Sequence, residues 1–420
     1  MKLAERSICL LKNDHRLLPF TAKPKPGPTA TSPQGAKKKM VLVFGDEATV
    51  AGHGSGGVVM PFVSLVSEEL AKLYPADEVE VSHPMIDGKA VCDPAAAAAL
   101  AEAADLVVVV VRAQTGEGMD RKNLTLVGSV GTTGGGWSGN NSASYDQDKL
   151  VAAIAEQSGV KTVVLARCSG AFTMPWLGQV ASVLYQLMPG QAGGVAAAKA
   201  IAGRVNPQGK LPVSFPTSID ETWLGTPLNP AQYPGVTKAQ SAALAAGEPL
   251  ARQMIEGGAS EYKCVNNNSD TSEWQRCDYS VEGMHVGYRW YATAEGAKHP
   301  PLLPFGHGLS YTTWAYSELK ASATSVSFTL ENSGAVAGTE VSQVYLKFPP
   351  SVGEPPLQLK GFAKTALVPG AKATVTVPLT EREVSVYSVA AHAWVGAKGA
   401  FGVEVGSSSA DLRLHGTFTL

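Results

Sequence analysis

Glu117 stands between two glycines in Arg112-Ala-Gln-Thr-Gly-Glu117-Gly-Met-Asp120-Arg121, directly after the valine run Asp105–Arg112. Flanking glycines permit unusual backbone angles and close approach of a ligand, so a carboxyl group there can serve as a general acid. Spacing alone leaves a solvated turn glutamate as the simpler reading. A second stretch, Gly52-His-Gly-Ser-Gly-Gly57, matches GxGxxG literally. Six residues (Asp46–Ala51) separate it from the preceding strand, and Pro61 interrupts the start of the expected helix, so it does not read as a dinucleotide fingerprint. It reads as a Gly/Ser loop at a cleft mouth, with Ser55, between Gly54 and Gly56, free to hydrogen-bond a polar ligand. The histidines are dispersed with no HExxH, and neither CxxC nor GxSxG occurs, so no metal, cofactor or hydrolase elbow is expected. Cys168 follows a buried strand and reads as a small buried thiol rather than a nucleophile. Gly287–Tyr291 (GYRWY) reads as core packing in preference to a sugar-stacking platform.

These loops need a scaffold. Met40–Gly45, Asp105–Arg112 and Lys161–Ala166 are short β-branched runs, and the unbroken valines suit a strand covered on both faces, as in a parallel sheet. Val63–Leu73, Pro94–Ala104 and Asp146–Gln157 carry helical spacing, Val79–Ser82 suits a short strand, and Val180–Leu187 and Gly193–Ile201 continue the alternation. Such alternation predicts a doubly wound α/β sandwich, in which ligands bind beyond the carboxyl ends of the strands. From about Trp314 the texture changes. Ser325–Glu331, Glu340–Phe348, Leu357–Phe362, Thr374–Leu379 and Phe401–Val405 are short strands separated by turn signals, which predicts an antiparallel β-sandwich. The expected division is 1–313 and 314–420. Two stretches, 21–39 and 236–278, look inserted, the latter with a helix over Lys238–Ile255.

Composition narrows the classes. At roughly 150 residues per domain, 420 residues suggest two or three domains. A hydrophobic share of 45% is that of a folded chain. The net charge of −2 gives no basic footprint for nucleic acid, and the apolar run Leu106–Val111 is far short of the ~20 residues that cross a bilayer. Neither nucleic acid nor membrane is an expected partner. Five cysteines form no disulfide framework. Cys264 and Cys277 bracket a short polar stretch, and both a disulfide and two free thiols fit. A bond there would stabilise by roughly 3 kcal/mol and indicate an oxidising compartment. Charges interrupt the first twenty residues, so they do not form a signal peptide.

Several motifs occur in a familiar order. VLVFGDEA precedes GHGSGG, and ADLVVVVVRAQTGEGMDR, MPW (174–176), NPQGKLPVSFP, EGMHVGYRWY and PFGHGLSYT follow. NSGAVAGTEVSQVYL, LKGFAKTALVPG and VEVGSSSADLRL come later. The chain resembles the C-terminal half of family-3 glycoside hydrolases, of β-glucosidase type. The resemblance implies an α/β sandwich domain followed by a fibronectin type III-like domain, and a retaining mechanism acting on terminal β-glucosyl residues of oligo- or aryl β-glucosides. It implies that Glu117 is the general acid/base, and that Ser55, Gly54 and Gly56 help to line the sugar site. In that family the nucleophilic Asp lies on an N-terminal barrel, which precedes the segment matched by ERSICLLKND. The expectation is therefore a truncated or split product that carries the acid/base, lacks the nucleophile and has no useful activity alone. A full-length form would be secreted. Two other readings compete: a non-catalytic carbohydrate-binding or scaffold protein derived from such an enzyme, and an adhesion module that uses the β-sandwich.

Overall fold

The structure, a computed structural model, describes residues 1–21, 38–45, 61–86, 89–113, 124–126, 146–218, 221–222 and 283–420. Five parallel strands form the first sheet: β2 (Lys39–Phe44), β3 (Val79–Ser82), β6 (Leu106–Ala113), β7 (Thr162–Cys168) and β8 (Ser182–Gln186). β1 (Cys9–Asn13) adds an antiparallel edge beside β8, giving the order β1-β8-β7-β6-β2-β3. All eight residues of β6 are buried, and its valines divide by alternation. Val107, Val109 and Val111 join one core with Ala97, Ala101, Leu150 and Ile154. Leu106, Val108 and Val110 join another with Val66, Leu70, Ala197 and Ile201. Helices therefore cover both faces. α3 (Pro94–Glu102) and α4 (Gln147–Ser158) pack together on one. On the other, α5 (Gly193–Ile201) packs on α1 (Lys2–Ser7) and α2 (Val66–Leu73). This is the predicted doubly wound arrangement. β4 (Met85–Ile86) and β5 (Lys89–Ala90) pair in a minor hairpin beyond β3.

Local chemistry sets the helix starts. Asp93 accepts from the Ala96 N–H at 2.8 Å, with Pro94 in the first helical turn, and Asp146 accepts from Lys149 N–H at 3.0 Å. α2 begins three residues later than its apolar spacing suggests. Ser64 is held away from the helix because its N–H donates to Gln191 O at 3.0 Å.

The C-terminal region forms two packed antiparallel sheets. β9 (Trp314–Ala321), β10 (Ser325–Asn332) and β13 (Lys372–Pro378) make one, in the order β13-β10-β9. β11 (Gly338–Lys347), β12 (Gln358–Leu367), β16 (Ala400–Gly406) and β17 (Leu412–Thr419) make the other, in the order β12-β11-β16-β17. β14 (Ser385–Ser388) and β15 (Ala393–Gly396) form a separate hairpin. Val326, Phe328 and Leu330 of β10 face Val344, Leu346, Val403 and Val405 across a common core.

The motifs that distinguish the sequence join these two parts. Asn206 Oδ1 accepts from Ser310 Oγ (2.9 Å) and Tyr311 N–H (2.8 Å), while its Nδ2 donates to Ala337 O (3.0 Å). Lys210 Nζ donates to Gly308 O (2.8 Å) and pairs with Glu340 Oε1 at 3.0 Å, the two side chains 11% and 4% exposed. Gly306 has φ +81°, and a Cβ there would lie 2.2 Å from Gln343 Oε1, so the turn passes directly under β11. Gln343 in turn donates to Ser407 O at 2.7 Å and accepts from the Tyr345 hydroxyl at 2.5 Å.

Candidate functional site

The chain lays β3 on one side of β2, then returns to lay β6 on the other. The connections after β2 and β6 thus diverge at the point where strand order reverses, which opens a crevice at the carboxyl edge of such a sheet. The strands are direct neighbours, with Phe44 opposite Val109. Gly45, at φ +68°, turns the chain out of β2. Residues 46–60 follow β2 and residues 114–123 follow β6. Gly54, Ser55, Gly56 and Glu117 belong to these two stretches and lie outside the described residues, as do Cys264, Cys277 and the helix expected over Lys238–Ile255.

The described residues show how both stretches are tethered. Gln147, 1% exposed in the first turn of α4, spans the mouth of the Glu117 stretch. Its Nε2 donates to Arg112 O (2.8 Å) on the near side and to Leu126 O (3.0 Å) on the far side, and its Oε1 accepts from Arg112 N–H (2.8 Å). Asp148 accepts from Leu126 N–H (3.0 Å) and from the Trp176 indole N–H (2.7 Å). Burial raises the Asp148 carboxyl above its ordinary value, the Leu126 and Trp176 donors pull it back, and Asp146 pushes it further up. Thr173 N–H donates to Leu124 O at 2.8 Å. Opposite, the Gly/Ser stretch returns to Ser64, whose Oγ accepts from Val195 N–H (3.1 Å) at the start of α5 and donates to Gln191 O (3.0 Å). A Cβ on Gly194 would lie 2.2 Å from Ser64 O, so this contact requires glycine.

Sequence reasoning did not single out Gln147 or Asp148. The available signal was a cap residue followed by two further polar residues at the start of a helix, and most such residues face solvent. Arg112 and Arg167 stand opposite each other on β6 and β7 at the same edge, 7% and 2% exposed. Arg167 Nε donates to Gln186 Oε1 at 3.1 Å. Cys168 ends β7 fully buried, as a structural thiol would. GYRWY packs through its aromatics: Trp290 is 3% exposed, and the half-buried Tyr288 stacks on Phe305 at 4.8 Å while accepting from Leu359 N–H at 2.8 Å.

A doubly wound sheet with the ends of β2 and β6 at its switch point, followed by a seven-strand sandwich, defines a two-part α/β-plus-β architecture. Residues 8–311 match the glycosyl hydrolase family 3 C-terminal domain, and residues 340–409 match a fibronectin type III-like domain. The chain belongs to glycosyl hydrolase family 3. It is 30% identical over 455 aligned positions to the probable beta-glucosidase L of Aspergillus fumigatus, covering 99% of this chain and 52% of that protein. It is 29% identical to the thermostable beta-glucosidase B of Acetivibrio thermocellus, covering 98% and 46%. The Bifidobacterium adolescentis GH3 beta-glucosidase structure superposes with a TM-score of 0.70 at 26% identity, covering 100% of this chain and 52% of that one. DesR, a beta-glucosidase from Streptomyces venezuelae in complex with D-glucose, shares the fold with a TM-score of 0.73 at 24% identity, covering 100% and 59%. The chain spans about half the length of the curated relatives it matches.

Proposed function

We propose that the chain forms the acid/base half of a retaining β-glucosidase-type glycoside hydrolase, with residues 1–313 and 314–420 as its two domains. The substrate is a terminal β-glucoside with a sugar or aryl leaving group. Glu117 protonates the glycosidic oxygen and then, as the base, activates the water that releases the sugar. Ser55, with Gly54 and Gly56, lines the sugar site from the neighbouring loop. Retaining chemistry needs a second carboxylate about 5–5.5 Å away, acting as nucleophile. On this reading it comes from a barrel outside these 420 residues.

The observation that carries the reading is that the Glu117 and Ser55 stretches leave adjacent parallel strands at the switch point, where open α/β sheets bind ligands. A second supports a covering body. Phe62, Met85, Ile86, Leu187 and Met188 follow or precede elements at this edge, and all are 39–56% exposed. Exposed apolar side chains of this size are the kind that a covering body would bury. Names of the matched relatives agree with the substrate class.

The test joins this chain to a family-3 barrel, and the transcript upstream of the Met1 codon is the first place to look for one. In the joined protein, Glu117→Gln lowers kcat on an aryl β-glucoside by about 10²–10⁴, the usual worth of general acid–base catalysis. The 420-residue chain alone gives no turnover, because a lone acid lacks the positioned nucleophile. Turnover by the chain alone, abolished by Glu117→Gln, overturns the split site. An unchanged kcat in the joined variant overturns the role of Glu117. Glycan binding that survives Glu117→Ala without turnover assigns the scaffold reading.

A further inference from the structure

A pocket of about 460 Å³, open to solvent, lies on the flank of the sheet, lined by Lys12, Met174, Pro175, Leu177, Thr217 and Leu302. Its volume is within the roughly 300–1,000 Å³ of small-molecule sites. It sits beside β1, at the sheet edge opposite β3, and three strand spacings of about 4.8 Å separate β1 from β6. It is therefore distinct from the switch-point crevice. Its walls are apolar apart from Lys12 and the Thr217 hydroxyl. Lys12, with its side chain only 19% exposed, donates to Leu177 O at 2.7 Å and pairs with Asp14 Oδ2 at 3.0 Å. An ammonium has three N–H donors, so one remains after these two contacts. The register supplies a second observation. Leu10 pairs with Leu184, but Lys12 pairs with Val183, so β1 carries an extra residue at this point. Bulges of this kind re-aim side chains beside binding sites. Here the bulge sets a largely covered lysine in the wall of an apolar cavity.

We infer that this cavity binds a small, uncharged, amphipathic alcohol, a phenol being the simplest case. The ring lies against Met174, Pro175, Leu177 and Leu302, and its hydroxyl accepts from Lys12 and donates to Asp14. The Lys12–Asp14 pair is already neutral, which favours a group that is donor and acceptor at once over an anion. The inference does not rest on the proposed glycosidase activity.

The test uses the full 420-residue chain and fluorine NMR. 4-Fluorophenol is titrated at pH 7, with fluorobenzene and 4-fluorobenzoate as comparisons. The expected result is saturable binding of 4-fluorophenol, at least fivefold tighter than either comparison. Lys12→Met lowers that preference to the fluorobenzene level. Gly178 also lines the cavity, and a Cβ there meets nothing within 4 Å, so Gly178→Phe fills the space without backbone conflict. It abolishes binding in a folded protein, which keeps the test sound if Lys12→Met unfolds. The inference is overturned by any of three results: no saturable binding of 4-fluorophenol, binding that Gly178→Phe leaves intact, or binding of fluorobenzene or 4-fluorobenzoate as tight as that of the phenol.

Discussion

His307 shows how one residue ties pH to the fold. Its Nε2 lies 2.9 Å from Leu11 O, which joins PFGHGLSYT to the edge strand β1. Burial holds the imidazole below its ordinary 6.5, the Leu11 carbonyl opposes this, and Lys210 and Asp411 act in opposite directions. A depressed folded-state value means that the neutral ring is favoured in the fold. Its contribution is therefore present above pH 6.5 and is lost as pH falls below it, with a limiting slope of about 1.4 kcal/mol per unit. Urea midpoints at pH 7.5 and 5.0 should show the wild type losing more stability than His307→Gln. Equal losses would remove His307 as the cause. At this scale the sequence revealed some roles and concealed others. Glu117 drew notice through its flanking glycines, but spacing alone left it a solvated turn glutamate, and its proposed role comes from the family motif around it. Gln147 drew none, since its value lies in reaching Arg112 and Leu126 from a helix that begins 34 residues after β6 ends.

Elements were legible where periodicity was strong. The valine run gave β6 because burial on both faces demands an unbroken apolar strand. β1, β9, β14, β15 and β17 were not singled out. β1 is a five-residue edge strand, β9 and β17 carry charged residues along their exposed faces, and every residue of β15 is exposed. In such strands the pattern is set by tertiary partners rather than by local hydrophobicity. The packing of α5 against Ser64 makes a prediction of its own. Gly194→Ala gains about 1 kcal/mol of helix propensity, but its Cβ would meet a backbone carbonyl at 2.2 Å. Overpacking of this kind costs about 1–3 kcal/mol, so the variant should melt lower than the wild type. A raised melting temperature would show that α5 moves aside at no cost.

For the whole molecule, the joint between sheet and sandwich matters most. Removing one partner of a buried ion pair leaves the other charge uncompensated, at about 3–5 kcal/mol. Lys210→Met should therefore destabilise strongly in urea titrations, and adding Glu340→Leu should recover most of the loss. If the double variant is as unstable as the single one, the Lys210–Gly308 bond, not the pair, holds the joint. Asn206, Lys210, Gly306 and Gly308 all belong to the segments by which the sequence is most readily assigned to its family. Among the described residues, none of the contacts they make reaches the switch-point crevice. Kinship in this lineage is thus written in its masonry rather than in its chemistry. A descendant that had lost every catalytic group, but still had to hold its two parts together, would carry the same signature.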